Sequence, residues 1–279
     1  MVRAKKWLSQ NFLVDPNLQR KIVDAIEPNA DDEVLEVGPG TGALTRLVAP
    51  RVRRLVLVEL DRQLAASLQE AYAGAEHVHV VHGDILDTDL HALGLDLERT
   101  KVLGNLPYHI TTPLLFRLLE RDHRPDRLVL MVQREVADRI LAPAGSADYG
   151  ALSVGVRSIA RVERLFHVGP RAFRPVPSVD STVLRIVPIR PAPLDARDEH
   201  DLRALTRAAF GWRRKQLQTT LRQSPDYHLD DDALRAISDL TALDLQRRPE
   251  TLDPDEFIAL ARALRPHLAH ADSGRRSSS

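Results

Sequence analysis

Short apolar runs rich in valine and leucine recur along the first two thirds of the chain: VLEV at 34–37, LVLVEL at 55–60, VHVVHGD at 78–84, KVLG at 101–104 and RLVLMV at 127–132. Patterns of helical period lie between them, such as RQLAASLQEAY after the second run and TTPLLFRLLE after the fourth. Nearly continuous apolar strands separated by helices predict a parallel sheet covered on both faces. Two further runs, RVERLFHV and STVLRIVPI, are joined by a segment with three prolines and no helical repeat, which predicts an antiparallel pair at one edge. The expected fold class is therefore α/β, a doubly wound, Rossmann-like sheet of seven strands with a modified edge.

The pattern changes after Ile189. PIRPAPLDARDEHD is proline-rich and charged, as linkers are. Beyond it HDLRALTRAAFGW, RKQLQTTLRQ, DDDALRAISDL and DPDEFIALARALRPHL all carry helical periodicity, with Asp230 and Asp253 where N-caps are expected. The expected organisation is a sheet domain over 1–190, a small all-helical domain over 191–268 and a disordered tail, HADSGRRSSS, over 269–279.

Composition narrows the setting. The 279 residues suffice for one catalytic domain with a smaller attachment. With no cysteine there is no disulfide framework, thiolate metal site or cysteine nucleophile, and a cytoplasmic setting is the expectation. The amino terminus lacks a continuous apolar core, and no stretch reaches the roughly 20 apolar residues of a membrane span. Histidines and carboxylates show no metal-ligand spacing, so no metal is expected. The formal net charge is zero, which argues against indiscriminate coating of nucleic acid. Two basic clusters stand out, Arg3, Lys5 and Lys6, and Arg213, Arg214 and Lys215; each alone reads as a solvated helix face.

In an open α/β sheet, ligands bind outside the carboxyl ends of the strands. The first run ends in EVGPGTGALT, where Gly38, Gly40 and Gly42 permit a tight turn and close backbone approach. That loop alone is weak evidence, and its GxGxG spacing departs from the GxGxxG of dinucleotide binders, which disfavours a nicotinamide dehydrogenase. The second run ends in Glu59, about 20 residues past the loop, where a carboxylate can accept both hydrogen bonds of a ribose diol. The third ends in Gly83-Asp84, where a carboxylate can accept from an adenine amino group. Each acid alone is more often structural. At successive strand ends they describe a pocket for an adenosine-containing cofactor. The fourth run ends in GNLPYHI, which in isolation reads as a turn followed by a core tyrosine.

Taken in order, QNFL (10–13), EVGPGTGALT (36–45), VELD (58–61), GDIL (83–86), GNLPY (104–108) and FRPVPSVDSTV (173–183) resemble the ribosomal RNA adenine N6,N6-dimethyltransferases, most closely the small-subunit type. FGWRRKQLQTTL and RRPETLDPDEF resemble the helical domain of the same family. The resemblance implies a seven-stranded S-adenosylmethionine-dependent methyltransferase core with a helical carboxyl-terminal domain that recognises RNA. It implies cofactor contacts from Asn11, Leu13, Gly38, Gly40, Glu59, Asp84 and Asn105.

It also gives GNLPY a chemistry. The lone pair of an adenine amine is delocalised into the ring. Asn105 and the backbone carbonyl of Leu106 or Pro107 would accept its hydrogens and steer the lone pair toward a methyl donor. Tyr108 and Phe173 would stack on the two faces of the base, and Arg213, Arg214 and Lys215 would contact phosphates. The implied partners are rRNA and the small ribosomal subunit or its precursor, with two adjacent adenosines near the 3′ end of 16S rRNA as targets. Two alternatives stay open at this point: a 23S rRNA methyltransferase conferring macrolide resistance, and a non-catalytic assembly factor on the same fold.

Overall fold

The structure, a computed structural model, describes residues 10–107, 110–119, 124–212 and 214–268. The chain divides into two compact units, one formed by the residues up to Leu141 with Ala160–Pro191, the other by Ala142–Ile159 with the residues from Ala192 onward.

In chain order the first unit contains β1 (Phe12–Leu13), α1 (Pro16–Ala25), β2 (Glu33–Val37), α2 (Thr45–Val48), β3 (Arg54–Glu59), α3 (Arg62–Ala71), β4 (Val78–His82), β5 (Lys101–Asn105), α4 (Thr111–Leu118), β6 (Arg127–Gln133) and α5 (Arg134–Leu141). It resumes after α6 (Ala151–Arg157) with β7 (Ala160–Val168), β8 (Phe173–Arg174) and β9 (Ser181–Pro188). Seven of these strands form one sheet in the order β4-β3-β2-β5-β6-β9-β7, as the hydrophobic pattern predicts. The first five are mutually parallel, and β9 runs antiparallel to both β6 and β7. Strand β2 is buried at every position, the signature of a strand covered on both faces. Edge strand β7 is mostly exposed or half-buried and carries an irregularity between Arg164 and Phe166, which limits further strand pairing.

The parallel registers decide where ligands can sit. Val37 pairs with Val58 and with Gly104, and Glu59 pairs with His82. Gly38, Glu59 and Asn105 therefore emerge at one level at the carboxyl ends of adjacent strands. The opposite end is sealed by a buried lysine: Lys101 Nζ donates to Asp32 Oδ2 at 2.6 Å and to the Glu27 carbonyl at 2.7 Å.

Strands β1 and β8, each two residues long, pair antiparallel to each other, with Phe12 opposite Arg174 and Leu13 opposite Phe173. Helix α1 starts directly after β1, its first turn fixed by Asp15, which accepts from the N–H groups of Asn17 and Leu18, and by Pro16 in the first helical turn.

The second unit contains α6, α7 (Ala196–Gly211), α8 (Leu217–Gln223), α9 (Asp231–Thr241) and α10 (Pro254–Leu264). Asp230 and Asp253 cap α9 and α10, the latter in a reciprocal box with Glu256. The expected boundary at 190/191 leaves out one segment of this unit, Ala142–Ile159. The physical reason is aromatic: Tyr149 is fully buried and meets Phe210 edge-on at 6.0 Å, and Phe210 in turn packs on Phe257 at 5.5 Å. The segment over 269–279, expected to be a tail, lies outside the described residues.

Candidate active site

A cleft of about 1110 Å³, its open mouth included, lies at the carboxyl ends of β2, β3, β4 and β5, and is lined by residues from 10–13, 36–44, 58–60, 83–85 and 105–107 of the first unit, with Ile110. It gathers Asn11, Leu13, Gly38, Gly40, Glu59, Asp84, Asn105, Leu106 and Pro107 around one space.

The glycine loop forms the floor. Gly38 (φ +64°) donates to the Val58 carbonyl at 2.9 Å, turning the chain sharply off β2. At Gly40 (φ +59°) an added Cβ would lie 3.2 Å from the ring of Phe12, so the loop and the amino-terminal stretch are in direct contact. Glu59 holds this loop from below. Its Oε2 accepts from Gly40 N–H at 2.9 Å and its Oε1 from Asp61 N–H at 2.8 Å. Burial raises the Glu59 carboxyl above the ordinary range, and these hydrogen bonds oppose that rise. Each oxygen has a second lone pair, so the carboxylate can still accept from a diol.

Asp84 is half-buried in the turn after β4; its Oδ1 accepts from Leu86 N–H at 2.9 Å and its carbonyl from Thr88 Oγ1 at 2.6 Å. The turn fixes the carboxylate at the cleft wall without a charged partner in those bonds.

Glu36 is a cleft residue that strand-end reasoning does not reach. It is 1% exposed, lines the cleft, and accepts from Thr45 Oγ1 at 2.8 Å. Burial pushes its carboxyl up to about 8, with a further contribution from the nearby charge of Glu59. The available signal was an acid inside VLEV, a run otherwise apolar on both faces.

At the end of β5, Asn105 Nδ2 donates to the Asn11 carbonyl at 3.1 Å. That bond assigns the amide: its NH₂ faces the amino-terminal stretch and Oδ1 remains an acceptor. Leu106 N–H donates to the Met131 carbonyl at 3.1 Å, anchoring the turn to β6, and the Pro107 carbonyl accepts from Ile110 N–H at 3.2 Å. Gln10 Nε2 reaches Asp61 Oδ2 at 3.2 Å, so residue 10 is tied to the end of β3.

One sequence expectation meets a different arrangement, and others fall outside the described residues. Phe173 is only 1% exposed, belongs to the main apolar core and is not among the described residues lining the cleft. Pairing opposite Leu13 draws its ring inward, where it packs in the core rather than facing the cleft. Tyr108 and Arg213 lie outside the described residues, as do Arg3, Lys5 and Lys6. Arg214 and Lys215 are exposed in the turn between α7 and α8, where Lys215 N–H donates to the Trp212 carbonyl at 2.8 Å.

Comparison with known proteins agrees with this geometry. The family model described as ribosomal RNA adenine dimethylase matches residues 1–259. A ribosomal RNA small subunit methyltransferase A from Geobacter metallireducens is 44% identical over 94% of this chain and 96% of its own length. One of the same name from Aromatoleum aromaticum is 43% identical over 92% and 93%. Among solved structures, a dimethyladenosine transferase from Plasmodium falciparum superposes with a TM-score of 0.74 at 25% identity, covering 89% of this chain and 95% of that one. The 23S rRNA methyltransferase ErmE gives 0.67 at 27% identity, covering 91% and 100%. With the match extending over nearly the whole length and the glycine loop, strand-end acids and asparagine gathered in one cleft, the chain belongs to the ribosomal RNA adenine dimethylase family of methyltransferases.

Proposed function

We propose that this chain dimethylates N6 of two adjacent adenosines near the 3′ end of 16S rRNA during small-subunit biogenesis in the cytoplasm, using S-adenosylmethionine as the methyl donor. The observation that carries the reading is the orientation of Asn105, whose NH₂ is engaged by the Asn11 carbonyl so that Oδ1 is left to accept.

The cleft fits the cofactor on its own chemistry. The glycine loop leaves room where side chains would fill it, Glu59 can accept from a ribose diol, and Asp84 can accept from an adenine amine. When bound, S-adenosylmethionine supplies a methyl group activated by positively charged sulfur. The protein's part is placement. Asn105 Oδ1 and the Leu106 carbonyl accept the two amine hydrogens of the target base, turning the nitrogen lone pair out of conjugation and toward the donor. The Pro107 carbonyl, which closes the turn to Ile110 with one lone pair, is the alternative second acceptor. Holding reactants in such a geometry can contribute roughly 7 to 11 kcal/mol to lowering a barrier. A neutral amide does this without burying a charge. Arg214 and Lys215, exposed on the helical unit, are our candidates for phosphate contacts, with Arg213 between them and Trp212 in sequence.

The small-subunit target is favoured over the 23S alternative by relatives at 43–44% identity that carry the small-subunit name, against 27% for ErmE. A non-catalytic factor is disfavoured because Asn105, Glu59 and Asp84 all line the cleft. The test is to incubate the protein with methyl-labelled S-adenosylmethionine and separately with unmethylated small subunits, large subunits and naked rRNA, then map labelled adenosines. Dimethylated neighbours in small-subunit rRNA are expected. Label confined to large-subunit RNA rejects the target, and no label in any sample rejects the enzyme.

A further inference from the structure

Residues 10–14, of which 10–13 line the cleft, form a strap too short to bury a core of its own, so its position must come from contacts elsewhere. Phe12 rests on Gly40, the Asn11 carbonyl takes the Asn105 amide, and Val14 N–H donates to the Ala172 carbonyl at 2.8 Å. One further contact comes from an unexpected residue. Gln19 lies on α1 and is 2% exposed, a neutral polar side chain buried where the helix faces the apolar core. Both ends of its amide are used: Nε2 donates to the Leu13 carbonyl at 2.7 Å and Oε1 accepts from Arg46. Arg46 belongs to α2, the helix that follows the glycine loop and whose Thr45 holds Glu36.

These bonds form one chain from the helix after the glycine loop to the catalytic amide: Arg46, Gln19, Leu13 carbonyl, strap, Asn11 carbonyl, Asn105. Its last link carries chemical information. An asparagine amide can rotate by a half turn, exchanging an acceptor for two donors. Because the Asn11 carbonyl accepts, only the orientation that leaves Oδ1 free to receive an amine hydrogen is stabilised. Displaced by an ångström or so, the strap would release that choice, and an amine that must donate would meet a donor.

We propose that Gln19 is a positioning residue for methyl transfer, holding the strap through the Leu13 carbonyl so that the Asn11 carbonyl orients the Asn105 amide. The proposal rests on the adenine N6 reading of the cleft. Gln19 reaches neither the cofactor space nor the target, since it does not line the cleft; it acts through backbone groups that substitution of strap side chains would leave in place.

Two variants separate this role from simple packing. Gln19→Glu keeps an acceptor for Arg46 and nearly the same volume but cannot donate to the Leu13 carbonyl when ionised. Arg46→Met removes the other bond and leaves the donation intact. Single-turnover and steady-state methylation of unmethylated small-subunit RNA should show kcat about 10- to 100-fold lower in Gln19→Glu, with the KM for RNA within about twofold of the parent. Arg46→Met should lose less. Hydrogen exchange measured by mass spectrometry should be faster over the strap in Gln19→Glu and unchanged across the sheet. A Gln19→Glu enzyme with parental kcat, or a loss confined to the KM for RNA, would overturn the proposal. The parent protein run alongside keeps the two ideas apart: if it does not methylate adenine, the functional reading fails, and the exchange data alone then decide whether Gln19 holds the strap.

Discussion

The N–H of Gly40 donates to Glu59 Oε2 across 2.9 Å, and the ring of Phe12 lies where a Cβ on the same glycine would point. The loop is thus clamped between a buried carboxylate and the strap, and the clamp makes the glycine specific. Gly40→Ala must hold a side chain at φ +59° and push its Cβ to 3.2 Å from Phe12, so a loss of about 1 to 3 kcal/mol is expected in urea denaturation. Adding Phe12→Ala should return the steric part but not the backbone part. A double-mutant cycle showing strict additivity would mean that the two residues do not press on each other.

Glu36 sets a pH dependence whose sign follows from its raised carboxyl. In the folded chain it titrates near 8, against 4.5 in a solvated chain. Below about pH 4.5 both states hold the proton and nothing is lost. Between 4.5 and 8 the unfolded chain releases a proton that the folded one retains, so stability falls as pH rises. Above 8 the loss is complete, at most about 5 kcal/mol. Glu36→Gln copies the protonated form and keeps an acceptor for Thr45. Its stability advantage over the parent should open between pH 4.5 and 8 and then level off; a gap independent of pH would show that burial does not hold the proton on Glu36.

The sheet was legible because burial on both faces leaves runs such as LVLVEL nearly unbroken, and each became a strand in the expected region. The strand pairing of the strap was not, since Phe12-Leu13 and Phe173-Arg174 pair over two residues, too few for a period of two to register. The same pairing explains Phe173. Its motif context suggested an open face, but a residue opposite buried Leu13 points into the core. Segment 142–159 was missed because its only α-helix is seven residues long and is preceded by Pro143, Gly145 and Gly150, so its period is weak. The residues of the cleft were legible as types at strand ends; the hydrogen bond that orients Asn105 depends on a chain separation of 94 residues, which no local pattern encodes.

Asn105 variants distinguish acceptor strength from orientation. Asn105→Ala should lower kcat by about 100-fold or more, with cofactor affinity, measured by calorimetry, falling by less than kcat. Asn105→Asp is the sharper probe. It supplies two acceptor oxygens, but an ionised carboxylate would face the Asn11 carbonyl, acceptor against acceptor, and displace the strap. Its activity should fall as far as that of the alanine variant, with weaker cofactor binding as well. An aspartate enzyme of parental activity would show that the Asn11 contact is dispensable.

In the helical unit, Asp198 accepts from Arg262 at 2.7 Å and from Arg265 at 2.8 Å, and these guanidiniums, Arg262 first, hold its carboxyl down to about 2 from 3.8. The stabilisation is present above pH 3.8 and disappears as pH falls from there through 2. Arg262 is half exposed, so solvent screening reduces the contribution to the order of 1 kcal/mol. Asp198→Asn should therefore be less stable than the parent at pH 6 and indistinguishable from it near pH 2, as followed by the helical circular dichroism signal. Equal stability at both pH values would show that the pair contributes nothing measurable.

Arg214 and Lys215 carry the prediction about substrate address. Both are exposed, and no hydrogen bond or ion pair within the described chain engages their side chains. A cation that meets a phosphate releases a condensed counterion, so removing one such cation should flatten the dependence of log affinity on log salt by about 0.7 to 0.9. Arg214→Ala with Lys215→Ala should then weaken binding to small-subunit RNA at low salt and reduce the slope by between about 1 and 2. Cofactor affinity should be unchanged, because both side chains belong to the helical unit and neither lines the cleft. Filter binding across a potassium chloride series reads the slope directly. If the double variant keeps the parental slope, these two residues are a solvated helix turn, and the RNA is held by other cations.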